Sequence, residues 1–372
     1  MEKKQTERVF YLDWLRVLGM GMVFLFHVGR YFDQGGWHVK NPQTYFLMSV
    51  ITTFLVLWIM PLFFSLSSVV EAQSMERQTF LRFLKGKCLR LAVPLIFGIF
   101  VLVPHQVYIE RVTQSSFNGS FISFLPHYFD GFYAFGGNFA WMGLHLWYLL
   151  ILFLFAVITY PLFKFISRRP RPHRFFGSAT AIFFLVPVFY FLSEIISDPS
   201  TPLGQRGFGG WTLLHYLCLF IIMFLFARNG LAKFKEFHSV FLNMALVLLV
   251  ILGLLVIPHG DFPAFGSFVF YPIAAIKVLA AWFFLAGIIG LGMRYFTFSN
   301  RFLSYANEAV LPFYMLHQSV IVLYGYLIRN ITMHPVIKYF FLAAISFVTV
   351  MVIYHFIVKR VKVTRFLFGM KI

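Results

Sequence analysis

Arg16 and His27 fall in the first long apolar run of the chain, LDWLRVLGMGMVFLFHVGRYF. A step of eleven residues turns an α-helix through three turns plus about 20°, so both side chains leave one face. Asp13 and Arg30 project within roughly 60° of the same line at about 100° per residue. Imidazole exchanges protons near neutral pH, and it is the group most often used as a general base. A membrane helix satisfies its own backbone, but four ionisable side chains on one stripe call for an enclosed polar cavity. The stripe therefore points to proton-transfer chemistry inside a membrane.

The rest of the chain supplies that membrane setting. Of its 372 residues, 60% are hydrophobic, 52 are Phe and 12% are charged, about half the usual charged fraction of a soluble domain. Mean hydropathy is +0.80. The expected fold is all-α and polytopic, with ten spans at 12–32, 44–70, 89–109, 144–167, 176–197, 211–227, 239–257, 271–291, 309–328 and 335–358. A single membrane-embedded domain over 1–372, with no separate soluble domain, is expected.

The net charge of +18 does not require nucleic acid, because it alternates along the chain. The amino-terminal segment, the tail and every second loop carry 22 of the 31 Lys and Arg residues; the intervening loops hold only Lys40, Arg111, Arg206 and Arg329. The positive-inside rule then puts both termini in the cytoplasm of a cell membrane, with a bacterial inner or plasma membrane as the natural setting. On that topology His27 lies about 22 Å from Leu12 in a core about 30 Å thick, in the outer half, while Arg16 sits near the inner boundary. Eight of the 12 histidines map to the outer half or outer loops. No His-x-x-x-His or His-x-x-Glu pair falls on one helix, so no metal site is expected. Asp13, Arg16 and the length of the first run exclude a cleavable signal peptide. Cys88 and Cys218 imply no disulfide framework. The long outer stretch 110–143, rich in Phe, Tyr and Gly, has the length of a functional loop.

Arg16 and His27 with ten residues between, on a first helix opening YLDWLRV, resemble the signature of the acyltransferase family 3 membrane enzymes. Further blocks follow in order: Phe63-Phe64-Ser65-Leu66-Ser67, Lys87-Cys88-Leu89-Arg90 with Pro94, His145-Leu146-Trp147-Tyr148-Leu149, and Tyr314-Met315-Leu316-His317-Gln318. Trp37-His38-Val39 with Asn41 resembles the branch that succinylates periplasmic glucans. The resemblance covers essentially the whole chain and departs from the family pattern at two points. Lys87 stands for the first Arg of the Arg-x-x-Arg motif, losing planar bidentate phosphate recognition, and Ser68 stands where Gly is usual.

The resemblance implies an O-acyltransferase that moves an acetyl- or succinyl-class group from a cytosolic acyl-CoA donor to a hydroxyl of an extracytoplasmic polysaccharide or oligosaccharide. Acyl-CoA is a co-substrate, and no bound cofactor is implied. His27 is the expected base, with Arg16 tuning the stripe. Arg82, Lys85, Lys87 and Arg90 would meet the donor phosphates at the cytosolic mouth. Arg30, Trp37, His38, Asn41, His145, Trp147, Lys277, His317 and Gln318 are the expected acceptor-side or cavity-lining residues, with Arg30 and Lys277 suited to an acyl group bearing a free carboxylate. Glu308 reads as a charge at a helix amino-terminus. The competing reading is a transporter or flippase without chemistry; deep carboxylates, usual in proton-coupled carriers, are scarce here. Oligomeric state is not readable from the sequence.

Overall fold

The computed structural model describes residues 9–169, 178–201, 205–229, 231–259 and 262–371. Lys3, Lys4, Arg8, Arg171, His173, Arg174 and Asp261 lie outside the described residues.

Every regular element among the described residues is a helix. In chain order these are α1 (Phe10–Arg30), α2 (Phe46–Ser74), α3 (Phe80–Leu102), α4 (Pro104–Thr113), α5 (Phe121–His127) and α6 (Trp147–Arg168). They continue with α7 (Ala181–Ile196), α8 (Leu213–Asn229), α9 (Ala232–Val256), α10 (Phe270–Tyr295), α11 (Arg301–Ile328), α12 (Pro335–Val358) and α13 (Lys362–Leu367). Among the described residues, seven helices are long and apolar enough to cross a membrane: α1, α2, α6, α9, α10, α11 and α12. The pair α3 and α4, bent by 41°, makes an eighth if it is taken as one span. At the two remaining expected spans stand the shorter apolar helices α7 and α8.

Prolines shape the broken helices. Wide π-turns at Cys88–Ala92, Gly98–Leu102 and Ala181–Leu185 are each followed two residues later by Pro94, Pro104 or Pro187. Proline has no N–H to give and its ring crowds the carbonyl four residues back, so the preceding turn widens. Arg90 sits inside the first of these turns.

The chain forms two compact units. The first comprises Met1–Gly19, Val56–Gln78 and Ile158–Asn307; the second comprises Met20–Leu55, Thr79–Val157 and Glu308–Ile372. Helices α1, α2, α6 and α11 contribute to both. In the first unit, α9 and α10 pack closely because Gly290 has no Cβ; one built there would overlap the Phe234 backbone. Buried Trp282 ties α10 to α7, its indole N–H donating to the Ile182 carbonyl at 2.9 Å. Ser68, where the family usually has Gly, is buried and donates to the Phe220 carbonyl at 2.5 Å, so its hydroxyl holds two segments together. In the second unit, buried Tyr31 donates to the Gly325 carbonyl at 3.0 Å, pinning the carboxy-terminal end of α1 to α11. The tail turns through Gly369 (φ +66°), where a Cβ would meet Pro94 at 2.8 Å and the Arg90 carbonyl at 3.1 Å.

Candidate active site

Three of the expected histidines meet in the second unit. The ring centroids of His27 and His317 are 4.8 Å apart, those of His145 and His317 5.3 Å, and those of His27 and His145 6.5 Å. His317 is fully buried and His145 is 6% exposed, whereas His27 is half-buried.

Their hydrogen bonds fix the tautomers, because a carbonyl can only accept. His317 Nδ1 lies 2.6 Å from the Tyr314 carbonyl, so Nδ1 carries the proton and Nε2 the lone pair. His27 Nδ1 lies 2.9 Å from the Val23 carbonyl and 3.1 Å from His317 Nε2. It therefore donates to both, which leaves His27 Nε2 as an unprotonated nitrogen on the half-buried ring. His145 donates from Nε2 to the Met315 carbonyl at 3.2 Å, and its Nδ1 has no partner among the described residues. The Tyr314 hydroxyl donates to the His145 carbonyl, locking α11 to the turn that opens α6.

A second polar network in the same unit centres on Glu110 of α4. Its carboxylate accepts from His38 Nδ1, from Arg111 at 3.1 Å and from the Tyr133 hydroxyl, which lies 2.7 and 2.9 Å from its two oxygens. Gln318 then reaches His38 Nε2 with its amide nitrogen at 3.1 Å and Gln106 Oε1 at 3.0 Å. Gln106 donates to the Ser319 hydroxyl and the Leu102 carbonyl, both at 2.8 Å. Every bond is satisfied when His38 is neutral with its proton on Nδ1. Trp37 lies beside His38, ring centroids 5.7 Å apart.

One turn beyond His27, Arg30 donates to Asp33 at 2.5 Å and also to the Gly36 carbonyl. Lys40 reaches the same carboxylate at 2.7 Å and the Arg30 carbonyl at 2.6 Å. Two cations thus share one buried carboxylate, which also accepts from Thr52 at 3.1 Å. The trio keeps one surplus positive charge on partly exposed side chains. Burial pulls the Lys40 ammonium below its ordinary range, and Asp33 opposes that pull.

The remaining candidates separate. Arg16 belongs to the first unit and pairs with Asp13 at 3.6 Å. Eleven residues of helix put it about 16 Å along α1 from His27, beyond direct contact. Lys277, also in the first unit, is buried rather than snorkelling: it pairs with Glu194 at 2.9 Å beside Arg206 and stands over the Trp211 ring at 4.2 Å. Asn41 accepts from buried Lys338 at 2.8 Å, a brace between the α1–α2 loop and α12. Arg82, Lys85 and Arg90 are exposed along α3, and Lys87 lies over the Phe83 ring at 5.3 Å. Trp147 opens α6 beside Tyr148. Glu308 is not at the helix start, because α11 begins at Arg301; it pairs with Lys359 at 2.9 Å and Arg365 at 3.3 Å.

Glu110, Tyr133, Gln106, Lys40 and Asp33 were not among the expected site residues. For Glu110 and Asp33 the one sequence signal is scarcity: with 13 Asp and Glu in 372 residues, a carboxylate beside a span is unusual.

The fold is a bundle of apolar helices, and His27, His145 and His317 meet within one of its compact units; clustered imidazoles can serve proton transfer or acyl transfer alike. The comparisons decide between these. The acyltransferase 3 family, described as an acyltransferase domain, matches residues 9–355, and the chain belongs to it. It is a membrane acyltransferase. It is similar to glucans biosynthesis protein C of Salmonella schwarzengrund (strain CVM19633), 23% identical over 392 residues, covering 100% of this chain and 97% of the relative. The same protein of Salmonella heidelberg (strain SL476) is also 23% identical, with the same coverage. That of Salmonella dublin is 22% identical. No solved structure matches.

Proposed function

We propose that this enzyme transfers an acetyl- or succinyl-class group from a cytosolic acyl-CoA donor to a hydroxyl of an extracytoplasmic glucan. The observation that carries the reading is the unprotonated Nε2 of the partly exposed His27 ring, whose Nδ1 is held by His317 and the Val23 carbonyl behind it. Such a nitrogen serves as base toward a hydroxyl or as nucleophile toward a thioester. In either case positive charge appears on His27, and His317 Nε2, 3.1 Å from His27 Nδ1, is placed to share it. The glucan acceptor follows from the names of the relatives. Exposed Arg82, Lys85 and Arg90, together with Lys87, are the donor-phosphate candidates. Arg16, paired with Asp13 about three helical turns from His27, would tune the polar stripe without touching His27.

The surplus cation of the Arg30–Asp33–Lys40 trio, one turn from His27, supports an acyl group that carries its own carboxylate. Lys277 is already committed to Glu194 and contributes structure.

The test is purified protein with labelled acyl-CoA and glucan oligosaccharides. His27→Ala should insert normally and lose about 10²–10⁴-fold in transfer. Transfer at the unsubstituted rate in that variant removes His27 from the mechanism. Uptake of unmodified glucan into vesicles, without any acyl transfer, would instead establish a carrier.

A further inference from the structure

We propose that His38 and Glu110 form a second catalytic pair that deprotonates the acceptor hydroxyl, while His27 takes the acyl group from the donor. The inference rests on the acyl-transfer reading and divides its chemistry between two imidazoles.

The two rings are supported differently. His27 is backed by a neutral carbonyl and a neutral imidazole, which favour an uncharged ring with a free Nε2. His38 is backed by a carboxylate, which stabilises the imidazolium that forms when a base takes a proton. Among the described residues, the other histidine bonded to a carboxylate is His127 with Asp130, and both are exposed. Glu110 is itself fixed by Tyr133 and Arg111, so it is a positioning residue acting through His38. The Trp37 ring beside His38 offers an apolar face on which a pyranose can stack.

His38 Nε2 already receives a hydrogen from Gln318. An incoming hydroxyl replaces it donor for donor, and Gln318 keeps its other bond to Gln106. The charged and titratable groups around His38 are Glu110 and Arg111 on α4, Tyr133 from segment 114–143, and the His27 and His145 rings.

The two steps balance. His27 Nε2 attacks the thioester carbonyl, the C–S bond breaks, and the thiolate leaves to take a proton from water on the donor side. The His27 Nδ1 proton passes to His317, leaving a neutral acyl-imidazole. The glucan hydroxyl then gives its proton to His38 Nε2 as its oxygen attacks the acyl carbon. The C–N bond breaks, His27 regains the proton from His317, and His38 releases its own to solvent.

The experiment compares His38→Gln, Glu110→Gln and Glu110→Asp in purified full-length protein, with labelled acetyl-CoA and succinyl-CoA and a glucan oligosaccharide. Free thiol, label on protein and label on glucan are read separately. The Gln variants should release about one equivalent of thiol, retain label on the protein and lose about 10²-fold or more in transfer to glucan. Glu110→Asp should recover much of that loss, and the pH profile of transfer should lose its base-dependent limb in His38→Gln. Wild-type transfer in both Gln variants overturns the proposal, as does loss of thiol release together with transfer in folded, donor-binding Gln variants. Unsubstituted protein that transfers no acyl group from any donor sinks the acyltransferase reading instead.

Discussion

At the scale of single residues, the proposed chemistry depends on where the imidazole lone pairs are placed. His317 has no solvent contact, yet its Nε2 accepts from Nδ1 of His27, the nitrogen opposite the one proposed to react. His317→Phe keeps a flat ring against Phe313, which stacks on it at 6.2 Å, but removes the acceptor. Transfer should fall at least about 10-fold with the protein still inserted, since one proton-transfer partner is typically worth 10²–10⁴. Turnover equal to the unsubstituted enzyme would mean that His317 only fills space. The Arg30–Asp33–Lys40 trio makes a separate prediction. Arg30→Gln or Lys40→Gln cancels the surplus charge, so succinyl transfer should drop more than acetyl transfer, read as the ratio of kcat/KM for the two donors. Lys277→Gln leaves Glu194 with fewer partners and should lower thermal stability without changing that ratio. Equal losses for both donors at Arg30 and Lys40 would assign those cations to structure.

Individual helices show how local chemistry sets these positions. His317, Gln318 and Ser319 are consecutive on α11, where successive residues point about 100° apart; His317 meets His27, while Gln318 and Ser319 both meet Gln106, and Gln318 alone reaches His38. The π-turn and proline pairs of α3 and α4 set the segment that bears Lys87 and Arg90 at one end and Glu110 at the other. Close approach matters equally for α9 and α10. Gly290→Leu would force Phe234 and His238 away, an overpacking cost of about 1–3 kcal/mol. The midpoint of thermal aggregation in detergent should fall accordingly, and an unchanged midpoint would show that this helix pair yields without cost.

The proposed reaction calls for a donor side and an acceptor side of the whole molecule. The alternating basic segments predict which is which: reporters fused near Lys85, Arg169, Lys235 and Ile372 should report cytoplasm, and those near Lys40, Gly119, Gln205 and Asp261 the outside. A tail reporting outside would reverse the two faces and place His38 and Trp37 on the donor side. Of the expected spans, α1, α2, α6, α9, α10, α11 and α12 were legible because long apolar runs have few other uses. The short α7 and α8 and the bend between α3 and α4 are weaker signals, since length and proline effects depend on what packs around them. By itself the sequence determined the helical membrane class and the family, because hydropathy and motif order are properties of the chain. It also singled out His27, His38, His145, His317 and Gln318 as residues of interest. Only the tertiary structure decided which of these touch and which nitrogen of each carries the proton. It alone supplied Glu110, 72 positions from His38, and tied Arg16 and Lys277 to Asp13 and Glu194. The physical reason is that a hydrogen bond depends on distance in space, and contacts between residues tens to hundreds of positions apart exist only once the helices have packed.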